Sequence, residues 1–556
     1  MQLGRRMRYW FLAVLWGGLF TCMSTRLVYL ACYQRGFLLG QSKARVERKT
    51  TLSARRGRIL DRNGNILAMS KPTYDLWISP RIFIKDKRSI AKIAKLVSTT
   101  EQDLQRKINE NIKKDFMYIA RNIDEASYHK IQREQIDEVY STQTYTRFYP
   151  GGKASAQLLG LVDRDEKGIE GIEYMYNESL SGKSGSAKYV INPFGETVET
   201  IARLEPEAGK NIKLTIDRSI QYLTYEALKE GVKKFGAKSA HALVLDVASG
   251  DIIAATNYPS FNPEIEWHKK RINSSLARNK VITDLYEPGS TFKPISMAYA
   301  IENSKLDVNA KISTSPGVYK IGENIIKDVR NFGQISLDEV LIKSSNIAIA
   351  KLILQSERGF DSWLINKYKV LEKAIGGFPG EPRGRIIQKK KISDFEIATM
   401  SFGYGLSMTP LQLGKMYLML ANGGEAQSVN LIYGKAKGQK KERVLKKETV
   451  KRIHEMLHQV TLPKGTARKA KVSGIKVAGK TGTTHVYENG KYQKDRYIAS
   501  FAGYAPFEDP QYVVVIVVEE PDKAFHYGGL SAAPIFSKII FNSQFISKSP
   551  KEKQKP

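Results

Sequence analysis

The sequence predicts a mixed α+β fold in which an N-terminal membrane-spanning helix precedes two folded modules. An uncharged apolar run begins at Tyr9, directly behind a cluster of arginines. Predicted strands joined by turns that contain glycine occur in both halves of the chain, and segments with helical periodicity separate them. The 556 residues give room for two or three domains, and a hydrophobic content of 42% is ordinary for folded protein, so large cores are expected.

The apolar run predicts an uncleaved membrane anchor. It covers residues 9–32 with one interruption, at Arg26, and follows a short tail of residues 1–8. About 20 apolar residues cross a bilayer, and an arginine near the far interface can reach the headgroups. The arginines on the amino side predict a cytoplasmic N-terminus. The alternative is a cleaved signal peptide, but the run is followed by no convincing small-x-small cleavage site.

The charge and cysteine content narrow the class of partner. A formal net charge of +32 indicates an anionic neighbour such as a membrane surface or an acidic polymer. The basic residues are spread along the chain without zinc-finger spacing or an RNA-binding signature, so we expect no nucleic-acid partner.

The only cysteines, Cys22 and Cys32, lie in the anchor region, so the rest of the chain is expected to use neither disulfides nor thiolate-bound metal.

The first module is predicted over residues 45–205. Within residues 56–68, the sequence Asp-Arg-Asn-Gly stands between two short apolar segments and predicts a hairpin turn. Residues 85–140 are highly charged with helical spacing, which predicts solvated helices on a small α+β module.

The second module is predicted over residues 212–545. Residues 215–234 have the periodicity of an amphipathic helix, and residues 242–246 and 251–255 predict the two strands of a hairpin. The lysine-rich residues 546–556 predict a disordered tail.

The first candidate site lies between Glu287 and Pro294. It places the Ser290 hydroxyl and the Lys293 amine three residues apart, after a Pro-Gly turn and before an apolar run. Proline is tolerated only in a first helical turn, so a helix is expected to begin close to Ser290 with both side chains on one face. This arrangement is typical of a serine nucleophile with a lysine base. The same spacing recurs without that context at three places: Ser89/Lys92, Ser127/Lys130 and Ser473/Lys476.

Two further motifs follow in order. The first is an S-x-N triad, Ser344 and Asn346, at the junction of two apolar segments with helical spacing, residues 337–342 and 347–354. The second is a K-T-G motif on a predicted strand, where glycine lets another backbone approach closely: Lys480, Thr481, Gly482 and Thr483.

S-x-x-K, S-x-N and K-T-G in this order match the motif set of penicillin-binding proteins and class A β-lactamases, with the middle motif in a looser form. Over nearly its whole length the chain resembles class B penicillin-binding proteins, the membrane-anchored D,D-transpeptidases of bacterial wall synthesis. Residues 284–287 and 402–413 resemble the division-type branch. The resemblance implies an antiparallel sheet packed with helices, plus a helical subdomain. The resemblance extends to several other stretches, which match the family's amino-terminal pedestal, its closing sheet and its last helix: residues 56–68, 147–150, 171–173, 499–506 and 532–536.

The resemblance also implies a role for each site residue. Ser290 is expected to be the acylated nucleophile, with Lys293 as its base and Ser344 as a proton relay. Burial and the charge of Lys480 would lower the pKa of Lys293. The backbone amides of Ser290 and Thr483 are expected to form the oxyanion hole, and no metal or cofactor is expected to take part. The remaining residues are expected to bind substrate: Asn346 at the peptide backbone, and Lys480, Thr481, Gly482 and Thr483 at the terminal carboxylate.

The same resemblance implies partners and location. The substrates are expected to be peptidoglycan stem peptides, a D-Ala-D-Ala donor and an amine acceptor, and β-lactams are expected inhibitors. The protein is expected in the bacterial cytoplasmic membrane, crossing it once, with its catalytic domain outside and a role in septal wall synthesis. Because the first module is too short to hold a glycosyltransferase, a separate polytopic glycan polymerase and other division proteins are expected partners.

Three alternatives remain open at this point. A β-lactamase or β-lactam sensor is disfavoured by the large first module, and a non-catalytic division scaffold by the intact motif set. His454 and His458 form an H-E-x-x-H pattern typical of zinc proteases, but no third ligand follows. A surface helix with a core stripe is favoured there: Val450, Ile453, Leu457 and Val460.

Overall fold

A computed structural model of the protein describes residues 2–83, 87–97, 99–114, 116–134, 136, 139–191, 197–264, 274–304, 309–389, 392–435 and 441–548. Its α-helices are α1 (Gln2–Val28), α2 (Arg35–Val46), α3 (Pro80–Phe83), α4 (Lys87–Leu96), α5 (Glu101–Glu110), α6 (Glu125–Arg133), α7 (Ala156–Leu159), α8 (Gly171–Met175), α9 (Asn177–Ser181), α10 (Arg218–Phe235), α11 (Ser274–Ala277), α12 (Lys280–Thr283), α13 (Lys293–Asn303), α14 (Leu337–Ile342), α15 (Asn346–Gln355), α16 (Phe360–Tyr368), α17 (Asp394–Met400), α18 (Pro410–Ala421), α19 (Lys447–Thr461) and α20 (Ala532–Lys548). Its strands are β1 (Glu47–Leu52), β2 (Ile59–Leu60), β3 (Ile66–Ile78), β4 (Met117–Asp124), β5 (Val139–Phe148), β6 (Gly185–Ile191), β7 (Thr197–Leu204), β8 (Ile212–Lys213), β9 (Ser239–Asp246), β10 (Ile252–Tyr258), β11 (Lys311–Ser313), β12 (Val318–Ile321), β13 (Asn324–Lys327), β14 (Gln334–Ser336), β15 (Arg385–Ile386), β16 (Leu406–Ser407), β17 (Glu425–Ala426), β18 (Glu442–Arg443), β19 (Ala478–Glu488), β20 (Lys491–Ala505) and β21 (Tyr512–Glu519).

The chain forms two compact units, of which the first comprises residues 1–55 and 182–209. In this unit α1 continues through a π-helical turn, so an apolar helix of 28 residues runs over Arg6–Tyr33. Among the described residues it is the one helix long and apolar enough to cross a membrane, and it covers the predicted anchor. The unit also holds an antiparallel sheet in the order β1–β6–β7.

The second unit comprises residues 56–181 and 210–556, and its first sheet is built on β3. This 13-residue strand pairs antiparallel with β2, β4 and β5. The β2–β3 hairpin confirms the predicted turn, in which Asp61 Oδ1 accepts from the Asn63 and Asn65 amides at 2.8 and 2.7 Å.

The charged stretch over residues 85–140 only partly follows its prediction. It contains α4, α5 and α6, but β4 separates α5 from α6. The segment Met117–Asp124 forms a strand because it pairs with β3. Strand formation depends on the neighbouring strands more than on the composition of the segment itself.

Three stretches of the first module meet in one buried ionic network. Glu173 Oε2 accepts from Arg56 Nε at 2.7 Å, and Glu173 Oε1 accepts from Arg147 Nε at 2.6 Å. Arg56 also donates to the carbonyls of Glu166 and Glu173 and to Asn177 Oδ1. Because buried charges persist only when paired and hydrogen-bonded, this network holds the three stretches together.

The second half of this unit is organised on an antiparallel sheet in the order β10–β9–β21–β20–β19. Helices α10 and α20 pack together on one face, where Phe501 lies against Phe536 with ring centroids 4.6 Å apart. Helix α18 covers the other face, and its Gly414 lies over Leu243 and Val515. Strand β19 forms one edge of the sheet, so its outer backbone groups are available for another strand.

Several sequence predictions for this half are confirmed. Helix α10 occupies the predicted amphipathic segment, β9 and β10 form the predicted hairpin, and α14 and α15 flank the S-x-N triad. The predicted tail begins too early, because α20 extends through Lys548. Residues 549–556 lie outside the described residues.

Candidate active site

Ser290 lies in a tight turn that precedes a buried helix. A 3-10 turn spans Gly289–Phe292, and α13 begins at Lys293 with Pro294 in its first turn. Helical structure therefore begins close to Ser290, as the sequence predicted, but its first turn is 3-10 and Ser290 belongs to that turn. Gly289 has a φ of +54°, and a Cβ there would lie 2.5 Å from Thr484 Cγ2, so only glycine fits.

A buried tyrosine fixes the backbone of this turn. Tyr417 on α18 donates its hydroxyl to Thr291 O at 2.7 Å, and Thr291 Oγ1 donates to Pro288 O at 2.6 Å. The Ser290 side chain is half-buried, and within the described residues its hydroxyl has no hydrogen-bond partner. The backbone of the turn is thus held while the serine hydroxyl remains free to react.

Lys293 is fully buried and points toward the S-x-N triad. Its Nζ donates to Ser344 O at 2.6 Å and to Asn346 Oδ1 at 2.7 Å, and it lies 3.3 Å from Ser344 Oγ. Ser290 Oγ is not among these partners. The spacing predicted a shared face for Ser290 and Lys293, but here the amine is engaged by Ser344 and Asn346.

Lys480 approaches the same hydroxyl from the sheet. It is also fully buried on β19, and its Nζ donates to Ser344 Oγ at 2.9 Å and to Thr481 O at 3.2 Å. The structure thus brings together four of the predicted residues, Lys293, Ser344, Asn346 and Lys480, from two helices, the turn between α14 and α15, and an edge strand.

The S-x-N turn has an unusual backbone that is held by a local cap. Ser344 has a φ of +60°, a left-handed conformation that residues with a side chain rarely adopt. Ser345 is the N-cap of α15, and its hydroxyl accepts from the Ala348 amide at 3.0 Å. The Asp328 carboxylate accepts from the Ser345 hydroxyl and from the Asn346 amide, each at 2.5 Å.

The glycine of the K-T-G motif allows the serine turn to pack against β19. A Cβ on Gly482 would lie 2.9 Å from Pro288 O and 2.4 Å from Ser500 Oγ. The sequence predicted this close approach from the motif. The turn that carries Ser290 therefore depends on the absence of a side chain at position 482.

The two threonines of the motif are held by loops outside β19. Thr481 Oγ1 lies 2.9 Å from Thr466 Oγ1, and Thr483 Oγ1 accepts from the Gly528 amide at 3.1 Å. Both hydroxyls thus have a defined position in the structure.

Burial lowers the pKa of both active-site lysines. Burial, and then the neighbouring Lys480 charge, lowers the pKa of Lys293 well below its ordinary value, against the opposing effect of Asp328. Burial lowers the pKa of Lys480 to about 7. The neighbouring Lys480 charge therefore favours the neutral form of Lys293.

In this arrangement the neutral form of Lys293 can act as a base. A neutral amine has two N–H bonds and one lone pair, and the two short contacts of Lys293 use both N–H bonds. Its lone pair is then able to accept a proton, directly from a nearby serine or through Ser344 Oγ. Activation of a serine hydroxyl by an adjacent neutral base is the requirement for nucleophilic catalysis by serine.

The histidines of the competing zinc motif serve the packing of α19. His454 Nδ1 lies 2.9 Å from the Tyr504 hydroxyl, and His458 Nδ1 lies 2.8 Å from Val477 O. Both rings stack on Phe507. Within the described ranges, no group of three His, Cys, Asp or Glu side chains is placed to hold a metal ion.

Several residues at the site were not identified from the sequence. Asp328, Thr466, Tyr417 and Gly528 lie far along the chain from the residues they contact. None of them belongs to a short motif with a known chemical role. Only a hairpin with an acidic residue at its end could have drawn attention to Asp328.

Two protein-family models match this chain. Residues 240–540 match the family described as penicillin binding protein transpeptidase domain, and residues 51–214 match the penicillin-binding protein dimerisation domain. The two matched segments together account for most of the chain.

Named relatives cover nearly the whole chain. A probable peptidoglycan D,D-transpeptidase PbpC of Pseudomonas aeruginosa is 35% identical over 94% of this chain and 92% of its own. The peptidoglycan D,D-transpeptidase FtsI of Escherichia coli K12 is 33% identical over 93% of this chain and 87% of its own. A solved transpeptidase domain of Burkholderia pseudomallei penicillin-binding protein 3 is 33% identical, has a TM-score of 0.54, and covers 61% of this chain and 97% of that domain. The chain belongs to the penicillin-binding protein transpeptidases, in the class B, division-type branch.

Proposed function

We propose that this protein cross-links peptidoglycan stem peptides by serine acyl transfer, with Ser290 as the nucleophile and Lys293 as its base. The chain is a serine-type peptidoglycan D,D-transpeptidase. One observation carries the assignment of residues: two fully buried lysines meet at the Ser344 hydroxyl, beside a serine turn whose backbone is held.

In the first half-reaction, Ser290 Oγ attacks the carbonyl carbon between the two D-alanines of the donor. The neutral Lys293 amine takes the hydroxyl proton as the new C–O bond forms. The C–N bond then breaks, and the departing D-alanine amine receives a proton that Lys293 returns through Ser344 Oγ. The product is an ester on Ser290.

In the second half-reaction, the amine of an acceptor peptide attacks the ester carbonyl. Its proton passes to Lys293, a new amide bond forms, and the C–O bond to Ser290 breaks with the proton returned to Oγ. The backbone amides of Ser290 and Thr483 stabilise the oxyanion in both steps.

The remaining residues bind the donor. Lys480, in its ammonium form, attracts the terminal carboxylate, and the hydroxyls of Thr481 and Thr483 add neutral donors beside it. Gly482 keeps the serine turn close to this strand, and Asn346 contacts the donor's peptide backbone. The donor lies as an added strand along the edge of β19.

The chain is a single-pass membrane protein by its N-terminal helix and its relatives. We propose that the anchor spans residues 9–32 of the cytoplasmic membrane with the N-terminus inside, followed by a pedestal over residues 45–205. The transpeptidase domain, residues 212–545, then acts outside, in septal synthesis. A separate polytopic glycan polymerase supplies the strands that it cross-links, and other division proteins are further partners.

Intact mass measurement after incubation with penicillin tests the site. The expected result is one covalent adduct whose mapped peptide contains Ser290. Ser290→Ala should form no adduct, and Ser473→Ala, at another serine with the same spacing to a lysine, should react like the wild type. An adduct on Ser89, Ser127 or Ser473 would contradict the site.

Two further measurements separate the alternatives. A long-lived adduct fits a transpeptidase, whereas rapid multiple turnover of penicillin would indicate a β-lactamase. Loss of division in cells carrying Ser290→Ala fits a catalytic role, whereas full complementation would indicate a scaffold.

A further inference from the structure

We propose that a row of aromatic rings on the sheet built on β3 is a second, non-catalytic binding site, which holds the glycan strand of peptidoglycan. The aromatic row consists of Phe116, Tyr118, Trp77 and Tyr140. The inference goes beyond the roles proposed for Ser290 and Lys293, because it concerns the sugar polymer and not the stem peptide.

The aromatic row lies on the face of the sheet opposite α4. On the α4 side, Ile78 of β3 belongs to the same buried cluster as Ile90 of α4. Successive side chains of a strand point to opposite faces, so Trp77 lies on the other face. Cross-strand pairing places Tyr118 of β4 and Tyr140 of β5 directly opposite Trp77. Three adjacent strands therefore each contribute a ring to this face.

The four rings form a continuous surface. The Trp77 centroid lies 4.4 Å from that of Tyr140 and 5.1 Å from that of Phe116, with interplanar angles of 21° and 39°. The Phe116 and Tyr118 centroids are 4.7 Å apart. Phe116 is 45% exposed and Tyr118 is 42% exposed. Single exposed apolar side chains are common on protein surfaces, whereas a contiguous set of this kind indicates a binding surface.

Polar groups border the aromatic row and hold its rings. Trp77 Nε1 donates to Thr142 Oγ1 at 3.2 Å, which fixes the plane of the indole. The Arg121 guanidinium lies over the Tyr118 ring, with Cζ 4.5 Å from the centroid, and Arg121 Nε donates to Asp75 Oδ2 at 2.9 Å. The row thus offers apolar ring faces beside hydrogen-bonding groups, and the guanidinium charge at its border is balanced by a carboxylate.

A sugar polymer matches this combination. A pyranose ring has a face of C–H bonds, which stacks on an aromatic ring, and a rim of hydroxyl and amide groups, which bond to polar neighbours. Peptidoglycan, the material on which this class of enzyme acts, contains a polymer of such rings. An open row across three strands accepts the middle of a polymer, whereas a closed pocket holds only an end. Anionic lipid or nucleic acid would instead require basic side chains without an acidic partner.

The test measures the dissociation constant of peptide-free glycan strands, labelled at one end with a fluorophore, by fluorescence anisotropy. The full-length protein is titrated in detergent, both untreated and after incubation with penicillin, which blocks the catalytic site. Titrations at low and high salt separate stacking from the general attraction of a protein of net charge +32 for acidic groups on the strands. The wild type should bind with an affinity that changes little with salt or penicillin.

Substitutions in the aromatic row should weaken binding. Phe116→Ala and Tyr118→Ala should each raise the dissociation constant by about three- to ten-fold, because each removes one stacking surface. Tyr118→Phe keeps the ring and should bind like the wild type. The matched control is Tyr222→Ala, which removes a 54% exposed ring from α10 and should have no effect. Thermal unfolding of each variant checks that the fold is retained.

The other outcomes contradict the inference. Wild-type affinity in both alanine variants would overturn it, and so would binding that disappears at high salt in every protein, since charge alone would then explain the binding. A wild type that binds no strand would also overturn it and would leave the row to a protein partner. If penicillin fails to acylate Ser290, only the proposed function fails, because strand binding is also measured without penicillin.

Discussion

The amines of Lys293 and Lys480 meet at a single hydroxyl, that of Ser344, at 3.3 and 2.9 Å. Both lysine side chains are fully buried, and two ammonium groups that share one hydroxyl partner would repel each other. Burial and the Lys480 charge both favour a neutral Lys293 beside a charged Lys480. This division gives one base and one carboxylate-binding cation.

Lys480→Ala should move the rising limb of the acylation profile to higher pH. The Lys480 charge lowers the pKa of Lys293, so its removal should raise that pKa by about one unit or more. The acylation rate should also fall at every pH because the carboxylate of the bound molecule loses its cationic partner. Acylation at the wild-type rate across the pH range would refute both roles of Lys480.

Lys480→Arg should retain much of the acylation rate and should not show the decline of that rate at high pH. The pKa of Lys480 is lowered to about 7, so in the wild type the rate should decline above that pH as the cation loses its proton. Arginine stays charged, although its planar group fits a lysine site imperfectly. Slow acylation of this variant with an unshifted rising limb would show that the geometry of the carboxylate site matters more than its charge.

Gly482→Ala should lower acylation of Ser290 by more than about ten-fold with little loss of folded protein. The new Cβ would lie 2.9 Å from Pro288 O, so the serine turn must shift. Displacing a reacting group by about 1 Å can cost a hundred-fold in rate. The measurement is the rate of adduct formation, with Ser500→Ala as a control for the neighbouring hydroxyl. An unchanged rate in Gly482→Ala would mean that the turn tolerates a different position.

Glu173→Ala should destabilise the protein by about 3–5 kcal/mol, because it leaves the two buried guanidinium groups of Arg56 and Arg147 without their shared carboxylate. Glu178→Ala changes an exposed carboxylate on the next helix and should have little effect. Thermal unfolding in detergent compares the two variants. Equal melting temperatures would remove the structural role assigned to the network.

The protein should remain in the membrane fraction with its N-terminus intact. The 28-residue apolar helix Arg6–Tyr33 is long enough to cross the bilayer. Fractionation followed by N-terminal sequencing checks this, and a mature N-terminus beyond Cys32 would indicate a cleaved signal peptide.

A chelator should leave acylation unchanged. His454 and His458 bond to the Tyr504 hydroxyl and the Val477 carbonyl, so both rings have structural partners. His458→Ala is expected to cost about 1–2 kcal/mol of stability through the lost hydrogen bond and ring contact, without a change in metal response. Activity lost with a chelator and restored by zinc would revive a metal role.

Several local features of this protein follow directly from its sequence. The apolar run specifies the N-terminal helix, the Asp-Arg-Asn-Gly turn specifies the β2–β3 hairpin, and Gly289 with Pro294 delimits the serine turn. These features depend on residues a few positions apart, whose turn chemistry and periodicity act within one segment. The three motifs also indicated which side chains to look for.

Long-range packing brings those side chains together. Ser344 stands 51 residues from Lys293 and 136 residues from Lys480, yet its hydroxyl lies between their amines. The same is true of Asp328, which no motif marks, and of β4, which becomes a strand by pairing with β3. Contacts of this kind depend on which distant segments exclude water together, and burial then sets the charge of each lysine. Local sequence therefore identifies the reactive groups, whereas long-range packing determines their protonation states.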